Sequence, residues 1–329
     1  MKPRRLRPRT ALLILLGLWL VTLAATPLVG SQAVSLAAVL KGDPTAASIF
    51  WQIRLPRVLL ALLGGAALAA SGMGFQTLFR NALAEPYTLG ISSGAALGAV
   101  LALRFEGGQF LGFSLVALAS FAGALGATAL IVGLALRRQG IETPTLLLAG
   151  VAVSLSCSAL ILFLQYLADS TQTFRMVRWM MGGLSVVGYA EVLWLLPWVL
   201  GGSGLLLALR WELNLLLTGE ELAASRGVDL ARLRLQVLLA ASLMIGSLVA
   251  VAGPIGFVGL IVPHMLRRFV GHDHLFLVPA CVLGGGAFLT LCDAAARTLM
   301  APAELPVGIL TALLGGPFFL WLLVWRTRE

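Results

Sequence analysis

Apolar runs of about twenty residues, nearly free of charge, recur from one end of this chain to the other and constrain its fold more than any other feature. A helix rising about 1.5 Å per residue needs about twenty apolar residues to cross the ~30 Å hydrocarbon core of a bilayer. Ten such runs can be marked: Ala11 to about Val29, then near 57–77, 87–104, 110–136, 145–167, 190–209, 233–252, 256–269, 276–297 and 306–325. Backbone amides in hydrocarbon must bond within their own segment, and a membrane barrel would show alternating segments of ~10 residues, so the runs are read as helices. Composition agrees, with 59% hydrophobic and 11% charged residues against about 25% charged in soluble domains. The expected fold is all-α: a polytopic transmembrane helical bundle of about ten helices, forming a single domain over residues 1–329.

The net charge of +9 would suit a nucleic-acid partner only if the cations gathered on one soluble face. They sit instead in short breaks between apolar runs, so no nucleic acid is expected. With the N-terminus inside, sixteen of the 23 lysines and arginines fall on the cytoplasmic side: Lys2, Arg4, Arg5, Arg7, Arg9, Arg80, Arg137, Arg138, Arg210, Arg226, Arg232, Arg234, Arg267, Arg268, Arg326 and Arg328. Lys41, Arg54, Arg57, Arg104, Arg175, Arg178 and Arg297 remain outside. This bias sets the orientation and places both termini in the cytoplasm. The first run is longer than the apolar part of a usual signal peptide and is read as a retained helix. Cys157, Cys281 and Cys292 all lie in apolar stretches and imply no disulfide framework.

Small residues repeat along single faces, as in Gly64, Gly65, Ala69 and Gly72, or Gly308, Ala312, Gly315 and Gly316. In lipid such faces let helices approach closely, so their expected role is packing. No internal repeat of the kind found in many secondary transporters is evident.

Candidates for chemistry are few. His272-Asp273-His274 looks like a metal cluster but has no Cys or Glu beside it, and a loop or helix-cap role is expected. A phosphate-binding loop of the G-x-x-x-x-G-K-[ST] kind needs a lysine, and neither Lys2 nor Lys41 follows the required glycines. The segment at about 212–231 is the most informative stretch outside the spans. Thr218-Gly219-Glu220-Glu221 fits a capping box, Arg226-Gly227 supplies a stop, and Asp229 can cap the next helix. Between them Leu222, Ala223 and Ala224 give a helix of about two turns an apolar surface, suited to a peg that fits a cleft on a partner. On the outer side Arg54 and Arg57 flank Pro56, and Arg297 closes the ninth run. Cations placed against the overall bias suggest anion or carboxylate partners, because the guanidinium fork pairs bidentately with carboxylates; anchors that snorkel to the interface are the alternative.

Three long motifs in order carry a family resemblance. The first is Arg54-Leu55-Pro56-Arg57 with Gly65-Ala66-Ala67-Leu68-Ala69-Ala70-Ser71-Gly72, Gln76, Arg80-Asn81, Leu83-Ala84-Glu85-Pro86 and Leu89-Gly90. The second is Gly256-Phe257-Val258-Gly259-Leu260-Ile261-Val262-Pro263-His264 with Arg267 and Gly271-His272-Asp273-His274. The third joins Asp293, Ala296-Arg297, Glu304-Leu305-Pro306-Val307-Gly308 and Gly315-Gly316-Pro317. From Arg54 onward the chain resembles the permeases of ABC importers for vitamin B12, iron siderophores and haem, often called the FecCD type, which are type II ABC importers.

The resemblance implies a transmembrane permease subunit in the inner (cytoplasmic) membrane, moving an iron chelate, haem or cobalamin by alternating access. It also implies two ATP-binding-cassette ATPase subunits, an external solute-binding protein, and a second copy of this chain or a homologous permease. No cofactor is expected on this chain, with ATP and magnesium held by the partner subunits. By the same resemblance Arg54, Arg57 and Arg297 are sockets for the binding protein, and Thr218, Gly219, Glu220, Glu221, Leu222, Ala223, Ala224, Arg226 and Gly227 form the helix that couples to the ATPase. Asn81 and Leu83, with Glu142, Thr143, Pro144 and Thr145, resemble the inner gate. The run from Leu146 to about Gln165 resembles the path-lining helix, with Ser154, Ser156, Ser158 and Gln165 as weak polar contacts.

Two positions depart from the family pattern. Its Asn-Pro-Leu-Ala reads Asn81-Ala82-Leu83-Ala84, which removes a rigid proline from the gate turn. Its leucine-glycine reads Arg226-Gly227. An ion-coupled secondary transporter of a bulky solute is the alternative reading; it would need ionisable residues near mid-bilayer, whereas Asp293 and Glu304 lie near span ends.

Overall fold

A computed structural model describes residues 7–30, 36–87, 89–105, 108–110, 113–137 and 142–326 of the chain. Lys2, Arg4, Arg5, Arg138 and Arg328 lie outside the described residues. The helices in chain order are α1 (Pro8–Ala25), α2 (Leu36–Leu40), α3 (Pro44–Ser48), α4 (Leu55–Leu78), α5 (Ile91–Arg104), α6 (Leu115–Arg137), α7 (Thr143–Tyr166), α8 (Ser170–Met180), α9 (Ala190–Ala208), α10 (Arg210–Leu216), α11 (Glu220–Ser225), α12 (Leu230–Ala252), α13 (Val258–Val270), α14 (His274–Thr298) and α15 (Val307–Arg326). Gln109–Phe110 and Phe113–Ser114 pair antiparallel ahead of α6.

Each apolar run of the sequence corresponds to one helix. Seven are long and apolar enough to cross a bilayer among the described residues. α5, with 14 residues, and α13, with 13, extend about 20 Å and fall short of a full crossing. The run near 87–104 becomes helical only at Ile91, because Gly90 takes a left-handed turn at φ 79°. Ala84, Glu85, Pro86 and Leu89 of the preceding turn are buried. Irregular backbone inside a membrane protein is tolerated where other elements cover it, and here the bundle covers it.

α4 is the central pillar, with 89% of its most apolar stretch buried. A π-helical turn, Ile49–Arg54, leads into it, and Pro56 occupies its first turn, where a missing N–H costs nothing. It packs on α14, α13, α12 and α9. A Cβ at Gly65 would lie 2.0 Å from the Gly285 carbonyl of α14, and one at Gly72 would lie 2.0 Å from the Gly259 carbonyl of α13. Gly308 and Gly315 meet Met181 and Phe257 nearly as closely, whereas Gly316 faces open space. Gly65 and Gly72 therefore set interhelical distances, Gly308 and Gly315 make room for the residues that end α8 and precede α13, and Gly316 is the exception.

Candidate functional site

Three features stand apart from the packed bundle: an arginine cluster at one end, a short helix at the other, and an exposed face of α7 between them.

The cluster gathers the residues at the ends of α4 and α14. Arg57 donates from Nη2 to Asp293 at 2.9 Å and from Nη1 to Glu304 at 2.7 Å. Arg297 reaches the same Asp293 carboxylate at 3.1 Å, one helical turn away, and donates to the Val29 carbonyl at 2.8 Å. Arg54 donates to the carbonyls of Pro27 and Leu28 at 3.2 and 3.3 Å. All three arginines are buried, and Asp293 is 0% exposed. The carboxylates that answer these arginines thus lie within the chain, 236 and 247 residues from Arg57. The three guanidiniums and Glu304 line a cavity of about 310 Å³ together with Gly30, Ile49 and Ile53, while Asp293 lies behind it, fully buried.

At the opposite end of α4 the chain turns through Arg80, held left-handed at φ 46°. Asn81 closes this turn by accepting the Leu83 N–H on its side-chain oxygen at 2.9 Å. An Asx turn of this kind fixes the backbone where the family pattern has proline. Leu83 is exposed at its tip. Two residues on, Glu85 is buried and accepts a backbone hydrogen bond from Phe257; burial pushes its carboxyl up to about 7, the hydrogen bond opposing.

α11 is shorter than expected, and its start differs. It spans Glu220–Ser225 with Gly219 as N-cap at φ 125°. Thr218 does not cap it, because α10 ends immediately before and the Thr218 hydroxyl bonds back to the Leu215 carbonyl at 2.7 Å. The stop is as expected: Gly227, at φ 87°, donates to the Ala224 carbonyl, and Val228 N–H reaches Ala223. Asp229 caps α12 through the Arg232 N–H at 3.0 Å. Ala223 is buried, while Glu221, Leu222, Ala224 and Arg226 are exposed. Glu220 turns inward to pair with Arg234 at 2.6 Å and accepts the Thr143 hydroxyl at 3.1 Å. Its hydrogen bond to Arg234 holds the Glu220 carboxyl below the usual carboxylate range.

α7 begins at Thr143 after an extended Glu142, with Pro144 in its first turn and Thr145 half-buried. Leu146, Gly150, Val153, Cys157 and Ile161 bury one face against α5 and α6. The other face exposes Leu148, Val151, Leu155, Leu162 and Tyr166, with Ser156 and Ser158 among them. Ser154 is half-buried, its hydroxyl 2.7 Å from that of Ser93 on α5. Gln165 is half-buried and directs its amide at the Met180 sulfur, 3.6 Å away.

Asp273 caps α14 through the Leu275 N–H, as its place in the His-Asp-His stretch suggested. Sequence reasoning missed the network behind it: Asn214 of α10 accepts the His274 N–H at 3.0 Å and meets its Nδ1 at 2.6 Å, while Nε2 meets the Thr77 hydroxyl at 2.9 Å. It also missed Glu220 with Arg234 and Thr143, and Asp293 with Arg57. None of these pairs has a spacing that periodicity could reveal.

Residues 12–325 match the FecCD transport family. The haemin transport system permease protein of Yersinia pestis is 44% identical over 85% of this chain and 84% of its own length. A vitamin B12 import system permease protein of Salmonella typhi is 43% identical over 84% of both. Among solved structures, an inward-facing conformation of a metal-chelate type ABC transporter superposes with a TM-score of 0.84 at 34% identity, covering 97% of this chain and 99% of that one.

Proposed function

The chain belongs to the FecCD transport family, and from that premise we propose that it is the permease subunit of an ABC importer for a bulky metal chelate: an iron siderophore, haem or cobalamin. It is a multi-pass membrane protein and does not itself hydrolyse ATP. In this reading its termini are cytoplasmic, ATP and magnesium reside on two ATPase subunits, and a solute-binding protein delivers cargo from outside. Residues 1–329 act as one permease domain, with the segment at about 212–231 as its coupling element.

The observation that carries the reading is the family match over residues 12–325; α1, α6 and α9 are as exposed as α7, and within that family reading the serine-bearing open face of α7 is assigned to the path. A helix in the middle of a multi-pass chain turns leucines and serines outward while its opposite face is packed. Facing a second copy across a two-fold axis, this stripe lines a path with few hydrogen-bonding groups. Such a wall lets a large cargo pass without holding it, since tight binding would slow release. Drive comes through the exposed residues of α11, seated on the ATPase, with the turn at Asn81–Leu83 and the start of α7 as the inner constriction.

The cavity of Arg54, Arg57 and Arg297 suits an acidic group on the binding protein, because three guanidiniums and one carboxylate, Glu304, line it. Arg54 tests this best, since it lines the cavity and lies outside the direct ion pairs that join Arg57 and Arg297 to Asp293. Arg54→Glu is expected to weaken docking of the binding protein by at least about tenfold, equal to about 1.4 kcal/mol, while the ATPase subunits stay bound. Unchanged affinity would remove the socket assignment.

A further inference from the structure

Glu220 stands where three otherwise separate elements meet. It opens α11; its carboxylate lies 2.6 Å from Arg234 on the first turns of α12 and 3.1 Å from the hydroxyl of Thr143, the first residue of α7. Arg234 also donates to the Thr143 hydroxyl at 3.3 Å, closing a triangle of three mutual contacts. Arg80, at the start of the turn after α4, is close enough for its charge to act on the same carboxylate. One side chain of the short helix thus touches the helix bearing the exposed stripe and lies within the field of the adjoining turn.

The rest of α11 is lightly held. Six residues cannot sustain a helix alone in water, and apart from buried Ala223 the side chains after Glu220 point outward. A push on the exposed residues would slide α11 along the bundle unless something fastens it to the element that must move. Charge-assisted bonds are short and directional, and suit that task better than an apolar contact, which slips. Thr143 lies at the end of a 24-residue helix, so displacement of its hydroxyl is displacement of the whole rod.

We propose that Glu220 is a positioning residue which, through Thr143 and Arg234, makes the start of α7 follow the movement of α11. This rests on the reading of α11 as the seat of the ATPase and of α7 as the path wall, and it names the atoms that join them. It also assigns Arg234 a role: its guanidinium, bonded to both, aims the carboxylate at Thr143.

The test is cargo moved per ATP hydrolysed by the reconstituted complex of permease, ATPase subunits and binding protein. Glu220→Gln, Thr143→Val and the double variant are compared with the native chain. Each single variant is expected to lower the ratio about tenfold, within the range of a coupled pair, and the double variant to lower it no further. A merely structural role would reduce transport and hydrolysis together and leave the ratio constant. A ratio within about twofold of native, or a double variant whose loss is the product of the singles, overturns the proposal. Leu222→Glu, on the exposed side of α11, separates the two levels. If that variant binds the ATPase subunits as tightly as the native chain, the reading of α11 falls and the proposal with it. If binding is lost there but Glu220→Gln leaves the ratio unchanged, only the positioning role falls.

Discussion

The substitution Asp293→Asn would remove the one charge that two buried arginines share. The carboxylate is fully buried and takes contacts from Arg57 at 2.9 and 3.1 Å and from Arg297 at 3.1 Å. An asparagine there keeps the volume and one acceptor oxygen but leaves Arg297 with backbone carbonyls, while Arg57 retains Glu304 at 2.7 Å, which is itself partly exposed. Breaking a buried ion pair from one side costs about 3–5 kcal/mol, because the remaining charge stays desolvated. For a chain of 329 residues that corresponds to a fall in the thermal midpoint of roughly 4–7 °C, read as loss of the monodisperse peak in detergent after heating. Adding Arg297→Met to Asp293→Asn should restore much of the loss, because an apolar side chain of similar length carries no charge to be left alone. A single variant within about 1.5 °C of the native midpoint, a shift worth about 1 kcal/mol, would refute the argument that this cluster is a desolvated structural lock.

Two further predictions follow from packing and protonation. Gly72→Ala puts a Cβ 2.0 Å from the Gly259 carbonyl, so α4 and α13 must part; expression of folded protein should fall steeply, whereas Gly316→Ala, facing open space, should be silent. Glu85 has a folded-state pKa raised to about 7, so the folded chain binds more protons than the unfolded one between the ordinary carboxylate range and pH 7, and stability falls as pH rises through that window. Glu85→Gln should abolish this slope in thermal midpoints taken from about pH 5 to pH 8; a slope that persists in the variant would place its origin elsewhere.

The long helices were legible because the bilayer imposes a length and an apolar content that a one-dimensional pattern records directly. α4 and α14 could be bounded to within a few residues, and Gly65 and Gly72 marked as packing positions, by that signal and the rule of small residues at close crossings. The start of α5 was not legible. Leu89 belongs to a buried turn rather than to the helix, and only the left-handed Gly90 fixes where the helix begins. The cap of α11 was misplaced on Thr218 because α10, which recruits that hydroxyl, carries no long apolar run. At the candidate site the arginines could be singled out as anomalies of the charge bias, but their partners Asp293 and Glu304 lie 236 and 247 residues from Arg57. Pairing over that distance is decided by the fold, as is the contact of Glu220 with Thr143 across 77 positions.

Whether the chain is a conduit driven from outside itself can be measured directly. The purified permease is placed in vesicles loaded with ATP, with and without its ATPase subunits, and cargo delivered by the binding protein is followed against a gradient. Accumulation is predicted only when the ATPase subunits are present and ATP is hydrolysed. Uphill accumulation by this chain alone, or accumulation that survives ATP depletion and collapses with a proton uncoupler, would contradict the account.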